Sequence, residues 1–221
     1  MLNAYTTIAA AGRAEVTEKR SRFLAVAAPV SAAEEALALV QQARAEHHDA
    51  RHHCFAYLLK GGEKRYSDDG EPQGTAGMPI LDVLERRGVV DCAVVVTRYF
   101  GGTLLGTGGL VRAYSAAATG ALDAAPPLAM ARFVAGSLQC TYTEYGRIPA
   151  IIAGLNGLVR DSVFGADVTV TFYLPAGREA ALCDQLREYT CGACRPVFAE
   201  PVFLGKAGGD LRVVPAATPG A

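Results

Sequence analysis

The chain has 221 residues, of which 51% are hydrophobic and 19% charged. This composition is typical of a folded globular protein and excludes a largely disordered one. The formal net charge is −1, so the sequence lacks the overall basic excess that nucleic-acid-binding proteins usually carry, although a local basic patch stays possible.

No apolar run approaches the roughly 18 to 20 residues that a membrane-spanning helix needs. The first residues also lack the basic start and apolar core of a secretory signal. Six cysteines are scattered through the chain, mostly in apolar segments where a reduced thiol acts as a small hydrophobe. We therefore expect a cytoplasmic protein with no membrane contact.

The first half of the sequence alternates between strand and helix patterns. Ser31 and Glu34 have the spacing of a capping box, and Gly88 is placed to end a helix. After a glycine-rich stretch, apolar residues recur at helical spacing from Leu110 to Leu122. The other predicted elements are strands at 13–20, 22–30, 52–60 and 91–100, helices at 31–47 and 78–88, and a turn-rich loop at 61–77.

A second pattern begins after the proline-containing linker "AAPPL" at 124–128. It is a βαββαβ order, which is that of a ferredoxin-like domain, and Pro149 places the start of its first helix at Arg147 or Ile148. We therefore predict an α+β protein of two domains. The boundaries are an N-terminal domain at 1–127, a ferredoxin-like C-terminal domain at 128–206 and a flexible tail at 207–221.

The stretch from Val94 to Ser115 runs from a buried strand through several glycines into a helix. Backbone N–H groups at such a helix start form an anion site, and glycine allows close approach. The nucleotide motifs are incomplete, because Thr107 stands where a P-loop has its lysine and Val111 where a dinucleotide fold has its third glycine. The glycines can thus serve an anion site, or only tight turns and close packing.

Two further clusters contain residues that could carry chemistry. Asp68, Asp69 and Glu71 could bind Mg²⁺ or act as acid and base, but they lack calcium-loop spacing. A solvated turn explains them better, with a recognition loop as a further alternative. All four histidines fall between His47 and His53, where their spacing argues against one metal site. We predict no metal and no cofactor. The histidines are either polar surface residues, or one of them is hydrogen-bonded near the glycine loop.

Three segments together resemble the IMPACT/YigZ family, and specifically its bacterial two-domain members. They are "DARHHCFAY", "YSDDGEPQGTAGMPIL" and "VVVTRYFGGTLLGTGGLVRAYS", and the likeness covers about residues 15–125. The resemblance implies an N-terminal α/β domain like domain IV of elongation factor G and a small-subunit ribosomal protein, followed by a ferredoxin-like domain. It also implies RNA or ribosome association, with eukaryotic relatives restraining a starvation-responsive kinase by competing for its activator.

The resemblance further implies a shared surface, to which Tyr114 also belongs. Residues expected to bind nucleic acid or an anion are Arg98, Tyr99, Phe100, Gly101, Gly102, Gly106, Gly109, Arg112 and His52. Residues expected to form a recognition loop are Asp68, Asp69, Gly70, Glu71, Pro72, Gly74 and Thr75. Relatives typically have a lysine in "FGGxKLG" where this chain has Leu104, so the loop lacks one phosphate-neutralising charge.

The leading hypothesis is a non-enzymatic RNA- or ribosome-binding protein that regulates translation. The amides of residues 101–109, with Arg98 and Arg112, would hold phosphates, while Tyr99 or Phe100 would stack on an unpaired base. Two alternatives remain open. One is a small enzyme or binder of a phosphorylated or nucleotide ligand, and the other is a protein-interaction adaptor.

Overall fold

The computed structural model describes residues 4–207 and 210–215 of the chain. They pack as two compact units, one formed by residues 5–129 and the other by Ala4 and the described residues from Met130 onward. Each unit combines helices with an antiparallel sheet, which confirms the predicted α+β class. Within the described residues, no helix is both long and apolar enough to cross a bilayer.

The N-terminal unit contains a five-stranded sheet in the order β2-β3-β6-β4-β5, with every neighbouring pair antiparallel. Its elements are β1 (Ala4–Ile8), β2 (Gly12–Glu18), β3 (Ser21–Pro29), α1 (Ala33–Glu46), β4 (His52–Leu58), β5 (Lys64–Ser67), α2 (Gly77–Arg87), β6 (Cys92–Tyr99) and α3 (Gly106–Ala124).

Helices cover both faces of this sheet, which explains the unbroken apolar run in β6. Val94 and Val96 pack with residues of α2 and α3, whereas Ala93 and Val95 pack with residues of α1. Successive side chains of a strand point to opposite faces, so the part of a central strand that helices cover on both sides is apolar at successive positions. Strand β6 therefore delivers the chain to the glycine-rich loop from the middle of the core.

Two local predictions in this unit are wrong. The capping box of Ser31 with Glu34 does not form, because α1 begins at Ala33, one residue later than that box requires. The Ser31 amide and hydroxyl instead bond the Glu35 carboxylate, at 2.6 and 3.0 Å. The loop at 61–77 contains the short strand β5, whose polar side chains at the sheet edge gave no hydrophobic signal. The predicted end of α2 at Gly88 is confirmed, with φ of 61°.

The C-terminal unit contains a second antiparallel sheet, in the order β11-β10-β7-β9-β8. Ile148, Ile152, Leu182 and Leu186 belong to the helices and pack with strand residues such as Phe172 to form the core. The elements are β7 (Pro127–Cys140), α4 (Tyr142–Tyr145), α5 (Ile148–Gly154), β8 (Leu158–Phe164), β9 (Val168–Pro175), α6 (Glu179–Thr190), β10 (Val197–Ala207) and β11 (Asp210–Pro215).

The elements of this unit agree with the sequence predictions at one point and differ at two. Helix α5 begins at Ile148 with Pro149 in its first turn, as predicted. Helix α4 was missed, although Thr141 and Glu144 form its capping box. Within the predicted tail, Asp210–Pro215 pairs with β10, because its β-branched residues outweigh the Gly and Pro content; residues 208–209 and 216–221 lie outside the described residues.

Gly12 tests the close packing of α3 on β2. A Cβ at this position would overlap the backbone carbonyl oxygen of Ala121 and crowd the backbone of Ala125. We expect Gly12→Ala to lower the free energy of unfolding by about 1–3 kcal/mol, because overpacking here meets backbone rather than a movable side chain. Thermal unfolding followed by circular dichroism measures the change.

Gly61→Ala is the matched control, because a Cβ there meets nothing within 4 Å. It should keep the melting temperature of the unsubstituted chain. Equal melting temperatures for the two variants would contradict the packing described for Gly12.

Candidate functional site

The ends of three chain segments meet beside the sheet of the N-terminal unit. His52 on β4 and Phe23 on β3 are both register partners of Arg98 on β6. The acidic loop, residues 68–76, follows β5, and the glycine-rich loop, residues 100–105, follows β6. Both loops therefore leave the sheet near these paired residues. His52, Glu71, Arg98 and Phe100 line one cavity of about 420 Å³ together with the start of α3.

The floor of this cavity contains a buried ion pair. Arg98 Nη1 donates to Glu71 Oε1 at 2.6 Å, and the two side chains are only 7% and 4% exposed. The guanidinium carbon also lies 5.4 Å from the ring centre of Phe23 and 5.6 Å from that of Phe100. The charge of Arg98 is therefore compensated within the fold by Glu71, while Arg98 Nε has no hydrogen-bond partner among the described residues.

Two neutral, buried side chains adjoin this ion pair. The Tyr114 hydroxyl donates to Glu71 Oε1 at 2.7 Å, and Cys54 Sγ lies 3.3 Å from the Tyr114 oxygen. Burial raises the pKa of the Tyr114 hydroxyl and that of the Cys54 thiol far above their ordinary values. Both groups therefore stay protonated, and Tyr114 remains a donor to the Glu71 carboxylate.

Asp68 holds the acidic loop against α2. Its Oδ1 accepts from the amides of Ala76 and Gly77 at 3.0 and 2.8 Å, and its Oδ2 accepts from the amide of Gly74 at 2.8 Å. A carboxylate at a helix start satisfies amides that have no partner inside the helix. Within the loop, the Thr75 hydroxyl donates to the carbonyl oxygen of Pro72 at 2.6 Å.

Asp69 ties the acidic loop to β4 and α1. Its Oδ1 accepts from Arg44 Nη2 and its Oδ2 from the amide of His53, both at 2.7 Å. Its carbonyl oxygen lies 2.9 Å from His52 Nδ1. The three acidic side chains thus bond different partners, and the described residues contain no cluster of three or more metal-ligating side chains.

The histidines also separate in the structure. His53 is buried beside Thr97, with Nδ1 3.1 Å from the threonine oxygen, and burial lowers its pKa. His47 Nδ1 lies 3.1 Å from the Tyr99 hydroxyl, which donates to Asp49 at 2.9 Å. Only His52 lines the cavity. Tyr99 therefore belongs to a different cluster from Phe100, its neighbour in the chain.

The exposed part of the site lies on the glycine-rich loop. Phe100 is 53% exposed and Leu104 is 82% exposed. Helix α3 begins at Gly106 without a side-chain cap, and residues 106–108 are exposed, whereas Gly109 is buried. Arg112 is exposed farther along the same helix but does not line the cavity. Gly102 and Gly106 have φ of 80° and 70°, which glycine adopts without strain.

Sequence reasoning missed two basic contributions to this surface. Arg51 lines the cavity, and Arg20 Nη2 donates to the Thr103 hydroxyl at 3.0 Å. Arg20 belongs to the turn between β2 and β3, which Gly101 contacts so closely that a Cβ would overlap the Arg20 backbone. The available signal was the pair Lys19–Arg20 at a strand-to-strand turn, but its place beside the glycines depends on the pairing of β3 with β6.

Comparisons with known proteins identify similar chains. Residues 19–122 match the model of the Impact N-terminal domain, and residues 138–193 match a domain of unknown function, DUF1949. The chain is 38% identical to IMPACT family member YigZ of Escherichia coli over 82% of its length and 91% of that protein. It is 32% identical to IMPACT family member YvyE of Bacillus subtilis over 94% and 96%.

A solved structure is similar as well. It is the crystal structure of a hypothetical protein, 35% identical, with a TM-score of 0.62 over 90% of this chain and 99% of that one. Protein IMPACT homolog of Dictyostelium discoideum is 37% identical over 41% of this chain and 28% of its own length.

Removing one member of the buried ion pair should cost more stability than removing both. Arg98→Met leaves the Glu71 carboxylate without its counter-charge, and we expect the free energy of unfolding to fall by about 3–5 kcal/mol. The double variant Arg98→Met, Glu71→Leu should lose less, although the Tyr114 hydroxyl then lacks its acceptor. Urea denaturation measures the free energy of unfolding of these two variants and of Glu71→Leu alone. A loss in the double variant equal to the sum of the losses in the two single variants would refute the coupling.

The buried, protonated side chains of Cys54 and Tyr114 also predict a loss of stability at alkaline pH. In the unfolded chain the Cys54 thiol and the Tyr114 hydroxyl ionise near about pH 8.5 and 10. Because burial raises both pKa values in the fold, the unfolded chain releases protons first, and unfolding becomes more favourable as pH rises above about 8.5. The melting temperature should fall from pH 8 to 10, and less steeply in Cys54→Ala; a flat profile would contradict the raised values.

Proposed function

The chain belongs to the IMPACT family, a family related to translation regulation, and on that premise we propose that it is a non-enzymatic RNA- or ribosome-associated protein. The observation that carries this proposal is the convergence of the exposed start of α3, an exposed aromatic ring and the basic side chain of Arg51 at one cavity. These are the three kinds of group that bind single-stranded RNA.

Basic side chains surround the glycine-rich loop although the whole chain carries a formal charge of −1. Arg51 lies at the cavity, Arg20 bonds the loop, and Arg112 is exposed on α3. Glu71, an acidic residue of this cavity, is compensated by Arg98. The local field is therefore more positive than the composition indicates, which favours phosphate binding.

The roles that we propose for these residues differ from those expected from the sequence. The amides at Gly106 and Thr107 and the side chains of Arg51 and Arg112 contact phosphates. Phe100 stacks on an unpaired base, a contact worth about 1–3 kcal/mol. Arg98 acts indirectly, because its pairing with Glu71 fixes the acidic loop beside the glycine-rich loop.

We also propose the finer fold assignments that the family resemblance implies. The C-terminal sheet places β10, β7, β9 and β8 side by side, all antiparallel, which supports a ferredoxin-like domain. The mixed sheet-and-helix N-terminal unit supports a likeness to domain IV of elongation factor G. Domain boundaries near residue 127 and a cytoplasmic location complete the proposal.

Leu104→Lys tests the proposed RNA surface. This position is 82% exposed, so the substitution should leave the fold intact while adding one cation to the loop. We expect tighter binding of a short single-stranded RNA at low salt, and a slope of log affinity against log salt that is steeper by about 0.7. Fluorescence anisotropy of a labelled oligonucleotide, measured from low to moderate salt, gives both quantities.

Val163→Lys is the matched control, because Val163 is 60% exposed on β8 of the other unit and gains the same charge. It should bind RNA as the unsubstituted chain does. RNA affinity that is undetectable, or that does not change with salt in any of the three proteins, would contradict the proposed function.

A further inference from the structure

Glu71 and His52, which line the cavity, each have a hydrogen-bond acceptor without a donor, whereas Arg98 Nε is a buried donor without a partner among the described residues. Both Arg98 and Tyr114 bond Oε1 of Glu71, and among the described residues none donates to its Oε2. His52 Nδ1 lies 2.9 Å from a carbonyl oxygen, which can only accept, so Nδ1 carries the proton. In neutral His52 the other ring nitrogen is therefore an acceptor. A ligand that bonds Glu71 Oε2 and this His52 nitrogen must supply hydrogen-bond donors.

The walls of the cavity require an apolar, flat ligand. Pro72, Leu105 and Leu110 line it together with the exposed Phe100 and Leu104. Its volume of about 420 Å³ is within the range of small-molecule sites. An aromatic heterocycle can stack on Phe100 and still direct its polar edge at Glu71.

The rim requires negative charge. Gly106 and Thr107, at the uncapped start of α3, line the cavity, and Arg51 lies there too. Amides at a helix start favour an anion such as phosphate. Donors at the rim and acceptors at the floor thus match a nucleotide, with its phosphate outside and its base inside.

We propose that this cavity selects guanine as an unpaired base of a bound RNA. This inference rests on the proposed function. Guanine is the RNA base whose Watson–Crick edge places two donors, N1–H and the N2 amino group, side by side. Adenine and cytosine place a ring acceptor beside their amino group, and uracil flanks its one donor with two carbonyl oxygens. These acceptors would face the Glu71 carboxylate without a hydrogen bond.

Nucleotide titrations test the proposal on the unsubstituted full chain. Binding of GMP, IMP, AMP and UMP is followed by heteronuclear NMR, with IMP included because it lacks only the N2 amino group. We expect GMP to bind at least about tenfold more tightly than AMP or UMP, since a site built to bond a donor rejects ligands that lack it, with IMP intermediate. Equal affinities, or no binding of GMP at millimolar concentration, would overturn it.

An RNA series separates this inference from the proposed function. Oligouridines that carry one central G, A or C are compared with oligouridine alone by anisotropy. Salt-dependent binding without preference for the G-containing RNA retains the proposed function and refutes guanine selection. Preference for GMP with no detectable RNA binding does the reverse, because the pocket stands while the RNA function falls.

Two variants locate the binding site. Leu104→Ala removes an exposed wall and should weaken all four nucleotides, whereas Val163→Ala, on the other unit, should weaken none. Glu71→Gln replaces an acceptor oxygen with a donor and should reduce the preference for GMP over AMP to about threefold or less. Circular dichroism checks the fold of Glu71→Gln, and if it is unfolded the nucleotide series on the unsubstituted chain decides.

Discussion

A guanidinium and a carboxylate buried together impose strict conditions on the chain around them. Transferring either charge alone out of water would cost several kcal/mol, so each is stable only while the other stays in place. In this protein Arg98 lies at the end of the central strand and Glu71 on a loop, with Tyr114 from α3 bonded to the same carboxylate oxygen. The pair thereby joins a strand, a loop and a helix at one point.

The geometry of the candidate site follows from this junction. The acidic loop cannot move away from β6 without exposing or unpairing the Arg98 charge, and Asp68 fixes the same loop to the start of α2. On the other side, the Ser21 hydroxyl accepts from the amide of Gly101 at 3.1 Å and anchors the glycine-rich loop. The exposed Phe100 and the start of α3 are consequently held by rigid elements, which limits the entropy lost when a ligand binds.

Local patterns predicted much of the fold. The apolar run of β6, the stripe along α3 and the position of Pro149 are signals contained within short segments, and the structure agrees with each. The family resemblance also named several of the residues that line the cavity, including His52 and Glu71, but not Arg51 or Leu110. What it gave was membership of a surface rather than the contacts each residue makes.

Those contacts depend on the pairing of distant segments and could not be predicted from local sequence. Arg98 was expected to bind phosphate because it ends a strand before a glycine-rich loop, yet its partner Glu71 lies 27 residues earlier in the chain. Tyr99 and Phe100 appeared equivalent in the sequence, but they belong to separate clusters on the folded chain. Arg20 reaches the site only because β3 pairs with β6.

The contrast between these two aromatic neighbours gives the most direct measurement. RNA affinity at fixed low salt is compared for Phe100→Ala and Tyr99→Ala, with circular dichroism to verify folding. We expect Phe100→Ala to lose about 1–3 kcal/mol of binding free energy, as for the loss of a stacking ring, and Tyr99→Ala to bind as the unsubstituted chain does. Loss of binding in Tyr99→Ala with none in Phe100→Ala would contradict the placement of the RNA surface at this cavity.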